Sequence, residues 1–380
     1  MHFDTKLVRL GQEPADGTGD VVPPIHVAAT YERRVQDPLR YFYGRGENPT
    51  REALERCLAG LEDARSATAF ASGQAAGATV LSLLEPGARL VASDDVYGGT
   101  RALFALLARQ GVTVDHADLS DAAAMDAAFA GDVAMVWIET PTNPLLKITD
   151  VAEAGRRARE RGALVVVDNT FAGPALQRPL RLGADVTLYS TTKSIAGHSD
   201  VLGGALVCDD DRLHRAFAEH RAVTGAVPGP FDCFLVHRGL KTLSLRTARQ
   251  VGNARAIVEA LCASPRVGRV HYPGLPGHPG HVPAARQMSA PGSVVSFEYL
   301  GDPAKLMDRL ELFTCAVSLG GVRSLVECPA LMTHAGVPPR IRAELGIGDG
   351  LVRVSAGIED ARDLVADLVA ALRPEEEHDR

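Results

Sequence analysis

The sequence lacks the features of a secreted, membrane-embedded or nucleic-acid-binding protein. Its six cysteines, Cys57, Cys208, Cys233, Cys262, Cys315 and Cys328, lie far apart and form no C-x-x-C pair. Neither a disulfide framework nor a structural zinc site is therefore expected, and buried free thiols are the default. No apolar run approaches a membrane span. The opening residues, MHFDTKLVRLGQEP, have no apolar centre of the kind a signal peptide needs, so the expected location is the cytoplasm. There is no basic block, and the formal net charge is −7, which argues against nucleic acid as a partner. No G-x-x-x-x-G-K-[ST] occurs. GIGDG near residue 350 follows no strand pattern and leads into one, so it is no dinucleotide fingerprint. Internal repeats and low-complexity tracts are absent.

What is present is a folding chain of two parts. Its 380 residues suit two domains better than one small core. Residues 1–44 read as an irregular arm, because EPADGTGDVVPP is rich in turn formers. Residues 45–231 read as a large α/β domain. A helix is expected over PTREALERCLAGLED, with Thr50 a candidate cap. From residue 67 to 208 the strand candidates are ATAFAS, RLVAS, VAMVWIET, ALVVVDNT, VTLYSTT and GALVCD. The patterns GQAAGATVLSLL, TRALFALLARQ, DAAAMDAAFA and VAEAGRRARERG are helical. Runs buried on both faces and separated by helices predict a mainly parallel sheet flanked by helices. Residues 232–380 read as a smaller α+β domain. It opens on a long helix over 232–263, with a kink expected near Gly239 or Gly252, and contains the strands GSVVSFEYL and GLVRVSAGIED.

In such sheets ligands bind at the carboxyl ends of the strands. Asp168 closes the run ALVVVD, and Lys193 follows the next run twenty-five residues later. A buried salt bridge is one reading of that pair. The other is a pyridoxal phosphate site, in which a lysine forms the Schiff base and an aspartate keeps the pyridine nitrogen protonated. Four features favour the second. Ser72, Gly73 and Gln74 stand where a strand enters a helix, a ready anion site. Ser190 and Thr192 add hydroxyls. Tyr97 offers a planar neighbour for a ring, and Arg353 a bidentate partner for a carboxylate.

These residues lie in motifs that resemble those of the Cys/Met-metabolism pyridoxal phosphate enzymes: YGRGENPTR, ASGQAAG, DDVYGGT, ETPTNPLL, VVVDNTF, YSTTKSIAGHSD, YPGLPGHPGH and SLGGVRSLVECPALMTH. The resemblance runs from VVPPIHVAATY to VRVSAGIED. It implies a fold-type I, PLP-transferase-like α/β architecture with pyridoxal 5′-phosphate as cofactor. Lys193 resembles the Schiff-base lysine and proton shuttle, Asp168 the partner of the pyridine nitrogen, and Tyr97 the stacked tyrosine. Gly73, Gln74, Ser190 and Thr192 resemble phosphate ligands, and Asn143 the asparagine near the phenolic oxygen. Ser318 and Arg353 are similar to the groups that hold the substrate carboxylate. Tyr43 and Arg45 look like residues that reach a neighbouring subunit's phosphate. This implies a homo-oligomer, a tetramer built from dimers with shared sites. His278 and His281 sit in a proline-broken segment and are not read as metal ligands. His198 is given a hydrogen-bonding role at most, and Glu327 and His334 are read as structural.

The side pocket departs from the family pattern. Where cystathionine enzymes commonly carry an acidic residue, an arginine and a glutamate, this chain has Phe42, Ala102 and Val317. Val317 leans toward methionine-like side chains. Gly99 stands where methionine γ-lyases typically have cysteine, and Arg101 could compensate for Ala102. The expectation is a carbon–sulfur lyase of the cystathionine γ-lyase type, acting by α,γ-elimination on sulfur amino acids, with a broad or unusual thioether substrate. Methionine γ-lyase is second and cystathionine γ-synthase third, with β-elimination also open. A general aminotransferase and a non-catalytic scaffold are the readings from other classes.

Overall fold

The structure, a computed structural model, describes residues 1–13, 18–32, 36 and 40–373. Seven strands form the first sheet: β1 (Ser66–Phe70), β2 (Arg89–Ser93), β3 (Thr113–Ala117), β4 (Met135–Glu139), β5 (Leu164–Asp168), β6 (Val186–Tyr189) and β7 (Gly204–Cys208). Their order is β1-β7-β6-β5-β4-β2-β3. β7 runs antiparallel to both its neighbours, and every other pair is parallel. The fully buried runs β4, β6 and β7 are the apolar segments of the sequence. Helices cover them on both faces, as a parallel sheet requires. β3 carries no continuous apolar run. It is an edge strand of mixed polarity, TVDHA, and period alone does not predict it.

The second sheet contains β8 (Val267–His271), β9 (Val294–Tyr299), β10 (Thr314–Cys315), β11 (Leu325–Glu327) and β12 (Leu351–Ser355), in the order β10-β11-β12-β9-β8. Only β10–β11 is parallel. The helices Leu243–Ala263 and Ala361–Leu372 pack on it through Ile257, Leu261, Leu364 and Leu368 against Phe297 and Val352.

Three expectations need correction. The arm is not wholly irregular: Phe3–Arg9 is a helix, and Leu7 joins Leu54 and Leu58 in the first-sheet core. Phe3, Leu7 and Leu10 share one helical face, a short stripe that the turn-rich residues after it obscure. Thr50 is not the cap. Asn48 takes the amides of Thr50 and Arg51, Pro49 fills the first turn, and the Thr50 hydroxyl accepts the His26 amide instead. The helix expected over 232–263 is two helices, Pro230–Leu240 and Leu243–Ala263, broken at Lys241 and Thr242 near Gly239. Cys233, Val236 and Leu240 pack into the first-sheet core. We therefore propose that the two domains divide at this break rather than at residue 232.

Candidate active site

The parallel strands bring their carboxyl ends to one edge, and the loops leaving them line a cavity of ≈ 230 Å³. Asp168 ends β5 beside Leu188 of β6, and the turn after β6 carries Lys193. The two do not form the salt bridge that was the alternative reading. Lys193 Nζ instead donates to Ser318 Oγ at 2.7 Å. Burial, then the neighbouring Arg353 charge, lowers the Lys193 pKa to about 8, with Glu327 opposing.

Among the described residues the Asp168 carboxylate has no cation against it, and its partners are the amide of Thr170, at 3.0 Å, and the Thr170 side chain. Burial pushes its pKa up. Glu139, its register partner on β4, is likewise pushed up, by burial and by the Asp168 charge. A cation brought against Asp168 would reverse the shift.

The helix Gly73–Leu81 begins at the cavity. Ser72 caps it by accepting the Ala75 amide at 3.1 Å. The amides of Gly73 and Gln74 precede Ala76, the first amide with an intrahelical acceptor, and have no backbone partner among the described residues. A Cβ at Gly73 would lie 2.9 Å from Ser190 Cβ, so only glycine lets this helix end approach the Lys193 loop. Ser190 has its hydroxyl unengaged, whereas Thr192 exchanges hydrogen bonds with Gly203, at 3.2 Å to its carbonyl and 2.9 Å from its amide. Tyr97 stands at the start of the helix Gly98–Ala108. Its amide donates to Glu139 Oε2 at 3.0 Å, and its side chain is 43% exposed at the cavity mouth.

The second sheet supplies the opposite wall. Arg353 on β12 is buried and donates to Asn143 Oδ1 at 2.7 Å and to the Ser318 carbonyl at 3.0 Å. It pairs with Glu327 at 2.9 Å, leaving its Nε without a partner. Ser318 has a φ of 98°, a strained conformation for a residue with a side chain, held from both sides by Lys193 and Arg353.

Of the expected site residues, Ser72, Gly73, Gln74, Tyr97, Asn143, Asp168, Ser190, Thr192, Lys193, Val317, Ser318 and Arg353 line the one cavity. Phe42, Tyr43 and Arg45 do not. Arg45 donates to the Ala222 carbonyl at 2.5 Å and lies over the Tyr43 ring, and Phe42 is 64% exposed. Arg101 turns to the Asp94 carbonyl at 2.5 Å and does not reach the cavity. A Cβ at Gly99 would lie 2.5 Å from Tyr97 Cε1, so the tyrosine ring occupies that side chain's space. His198 is exposed and faces the Ala196 carbonyl. His278 and His281 make local hydrogen bonds to the Gly280 amide and the Pro273 carbonyl.

Sequence reasoning missed two supports. Glu327, read as structural, is the ion partner of Arg353. Glu139, which the sequence offers only as the acidic residue of the run VAMVWIET, anchors Tyr97. Both are single carboxylates whose partners are distant in sequence, and only strand register brings them together.

A family model described as Cys/Met metabolism PLP-dependent enzyme matches residues 4–373. Two structures of CalE6 from Micromonospora echinospora are each 65% identical, cover 98% of this chain and 99% of theirs, and have TM-scores of 0.96 and 0.94. One is described as a cystathionine gamma-lyase and the other, the apo form, as a methionine gamma-lyase. The cystathionine beta-lyase of Coxiella burnetii is 45% identical over 378 residues, 98% of each chain. The cystathionine gamma-synthase of Mycobacterium tuberculosis is 47% identical over 375 residues, 97% of this chain and 96% of its own. The architecture is that of the fold-type I PLP enzymes.

Proposed function

The chain belongs to the Cys/Met-metabolism PLP-dependent enzymes, and from that premise we propose a carbon–sulfur lyase of the cystathionine γ-lyase type. It is an enzyme of sulfur amino-acid metabolism with pyridoxal 5′-phosphate as cofactor. The finer reading is α,γ-elimination, releasing a thiol, ammonia and 2-oxobutanoate.

The donor set fits the cofactor. The bare helix amides at Gly73 and Gln74, with Ser190, suit its phosphate. The unpaired, buried Asp168 suits a protonated ring nitrogen, Tyr97 one face of the ring, and Lys193 its carbonyl carbon. When bound, the cofactor supplies an electron sink for the charge left by α-proton removal.

The remaining work falls to the chain. Arg353, aligned by Asn143 and Glu327, holds the amino acid's carboxylate together with Ser318. Lys193 Nζ takes the α-proton and then moves protons at the β-carbon. The Tyr97 hydroxyl protonates the departing sulfur. The carrying observation is the group Lys193–Ser318–Arg353, hydrogen-bonded across the junction of the two sheets while Asp168 is left unpaired.

Methionine is the second substrate reading. The charged side chains lining the cavity are Glu139, Asp168, Lys193 and Arg353. Asp168, Lys193 and Arg353 have tasks at the cofactor or the α-carboxylate, Glu139 holds the Tyr97 amide, and Val317 offers no partner to a distal ammonium. Burying such a charge unpaired is costly. We place the enzyme in the cytoplasm as a homotetramer built from two dimers, with Tyr43 and Arg45 serving the neighbour's phosphate. A panel of cystathionine, methionine, cysteine and homocysteine, scored for thiol and keto acid, tests the reaction. Release of 2-oxobutanoate from cystathionine or methionine supports it. Pyruvate from cystathionine would mean β-elimination, and amino-group transfer without thiol release would mean an aminotransferase.

A further inference from the structure

The helix Leu243–Ala263 carries buried polar side chains at Arg246, Gln250 and Asn253, a spacing that puts them on one face. A helix face that packs on a core has no need of them, and each buried donor requires an acceptor. None of the three donates to a carboxylate. Arg246 donates to the Ser194 carbonyl at 2.7 Å, the Ile195 carbonyl at 3.3 Å and the Gly239 carbonyl at 2.8 Å, and to Thr242 Oγ1 at 3.1 Å. Gln250 donates to the carbonyls of Gly320 at 3.2 Å and Gly321 at 2.7 Å. Asn253 donates to the carbonyls of Gly357 and Glu359, both at 2.9 Å.

Each of the three side chains donates to a segment that carries part of the site. Ser194 and Ile195 follow Lys193, Gly320 and Gly321 follow Ser318, and Gly357 and Glu359 follow the strand of Arg353. The packing is close. Gly197, at φ +74°, has no room for a Cβ, which would fall 1.9 Å from Arg246 Nη1. Gly320, also at φ +74°, presses on the other side, where a Cβ would fall 2.6 Å from the Ser194 amide nitrogen. The Lys193 turn is held between them. The break after Gly239 also takes part, because the Gly239 carbonyl accepts from Arg246 as well as from the amide and hydroxyl of Thr242.

We infer that Arg246, Gln250 and Asn253 are positioning residues for the reaction: one stripe of one helix sets the Lys193, Ser318 and Arg353 segments against one another. The inference rests on the reading of the cavity proposed above. A stripe that only stabilised the fold would, when altered, lower stability and leave the chemistry of each folded molecule unchanged.

The test uses the holoenzyme with Gln250→Leu, Arg246→Met and Arg246→Lys. Absorbance of the bound cofactor is titrated against pH without substrate, and again against glycine, which has no side chain to eliminate. Gln250→Leu should raise the glycine Kd about tenfold, the scale of a lost hydrogen-bond pair, and leave the pH midpoint in place. Arg246→Met should move the midpoint by about half a pH unit or more through a displaced Lys193, and Arg246→Lys should recover part of the shift. The inference is overturned if folded variants show only a lower thermal midpoint, with glycine Kd and pH midpoint unchanged. Should Arg246→Met fail to fold, Gln250→Leu decides alone. Neither spectral readout needs turnover, so a holoenzyme that releases no thiol would sink the proposed reaction while still testing this stripe.

Discussion

Lys193 shows how a single side chain is tuned by its surroundings. With a pKa near 8, roughly a tenth of the free amine is neutral at pH 7, against well under a thousandth for an exposed lysine. Val317 acts at the same scale, on the substrate's side chain. It lines the cavity, is 53% exposed at its mouth, and has no charge. Val317→Glu should raise kcat/KM for cystathionine relative to methionine by about threefold, because it gives the distal ammonium a partner at a half-exposed position. The ratio of the two kcat/KM values is the quantity to measure. An unchanged ratio in a folded variant would remove Val317 from the pocket.

At the scale of elements, much of the first sheet is legible in the sequence because its strands are continuous apolar runs. The rule that ligands gather at strand ends then leads to Asp168, Tyr97 and Lys193, which line one cavity. What is not legible depends on distant partners. Edge strand β3 has no apolar signature. A kink near Gly239 is legible, but not that it is a full break at Lys241–Thr242 or that Gly239 packs on Ala196, whose carbonyl oxygen would lie 2.2 Å from a Cβ there. Glu327 finds Arg353 only through the β11–β12 register. Glu62, at the end of the helix Pro49–Glu62, is a further case. It accepts the Tyr189 hydroxyl at the foot of β6, and burial raises its pKa to about 7. Between its ordinary value and 7 the native state holds a proton that the unfolded chain releases. This contribution to stability is therefore full below the ordinary carboxylate range and lost as pH rises from there through about 7, by on the order of 3 kcal/mol. Glu62→Gln removes the titration. Its guanidinium midpoint should fall less than the wild-type midpoint between pH 5 and pH 8, and parallel curves would contradict the assignment.

At the scale of the molecule, most of the expected site residues meet in one chain, but the arm residues Tyr43 and Arg45 stay outside the cavity. If they complete a neighbour's site, Arg45→Ala and Lys193→Ala should each be nearly inactive alone. Refolded together they should regain part of the wild-type activity, since heterodimers contain one site with both native residues. No recovery despite verified subunit exchange would mean that each site is built from a single chain.

The account turns on Lys193 as the lysine that carries the cofactor. The chain has five lysines, Lys6, Lys147, Lys193, Lys241 and Lys305, so one peptide map distinguishes them. The holoenzyme is reduced with borohydride, digested and weighed by mass spectrometry. The account predicts the added mass of the reduced cofactor on the peptide containing Lys193 and on no other. The same mass on a peptide containing Lys6, Lys147, Lys241 or Lys305, with the Lys193 peptide unmodified, would contradict it.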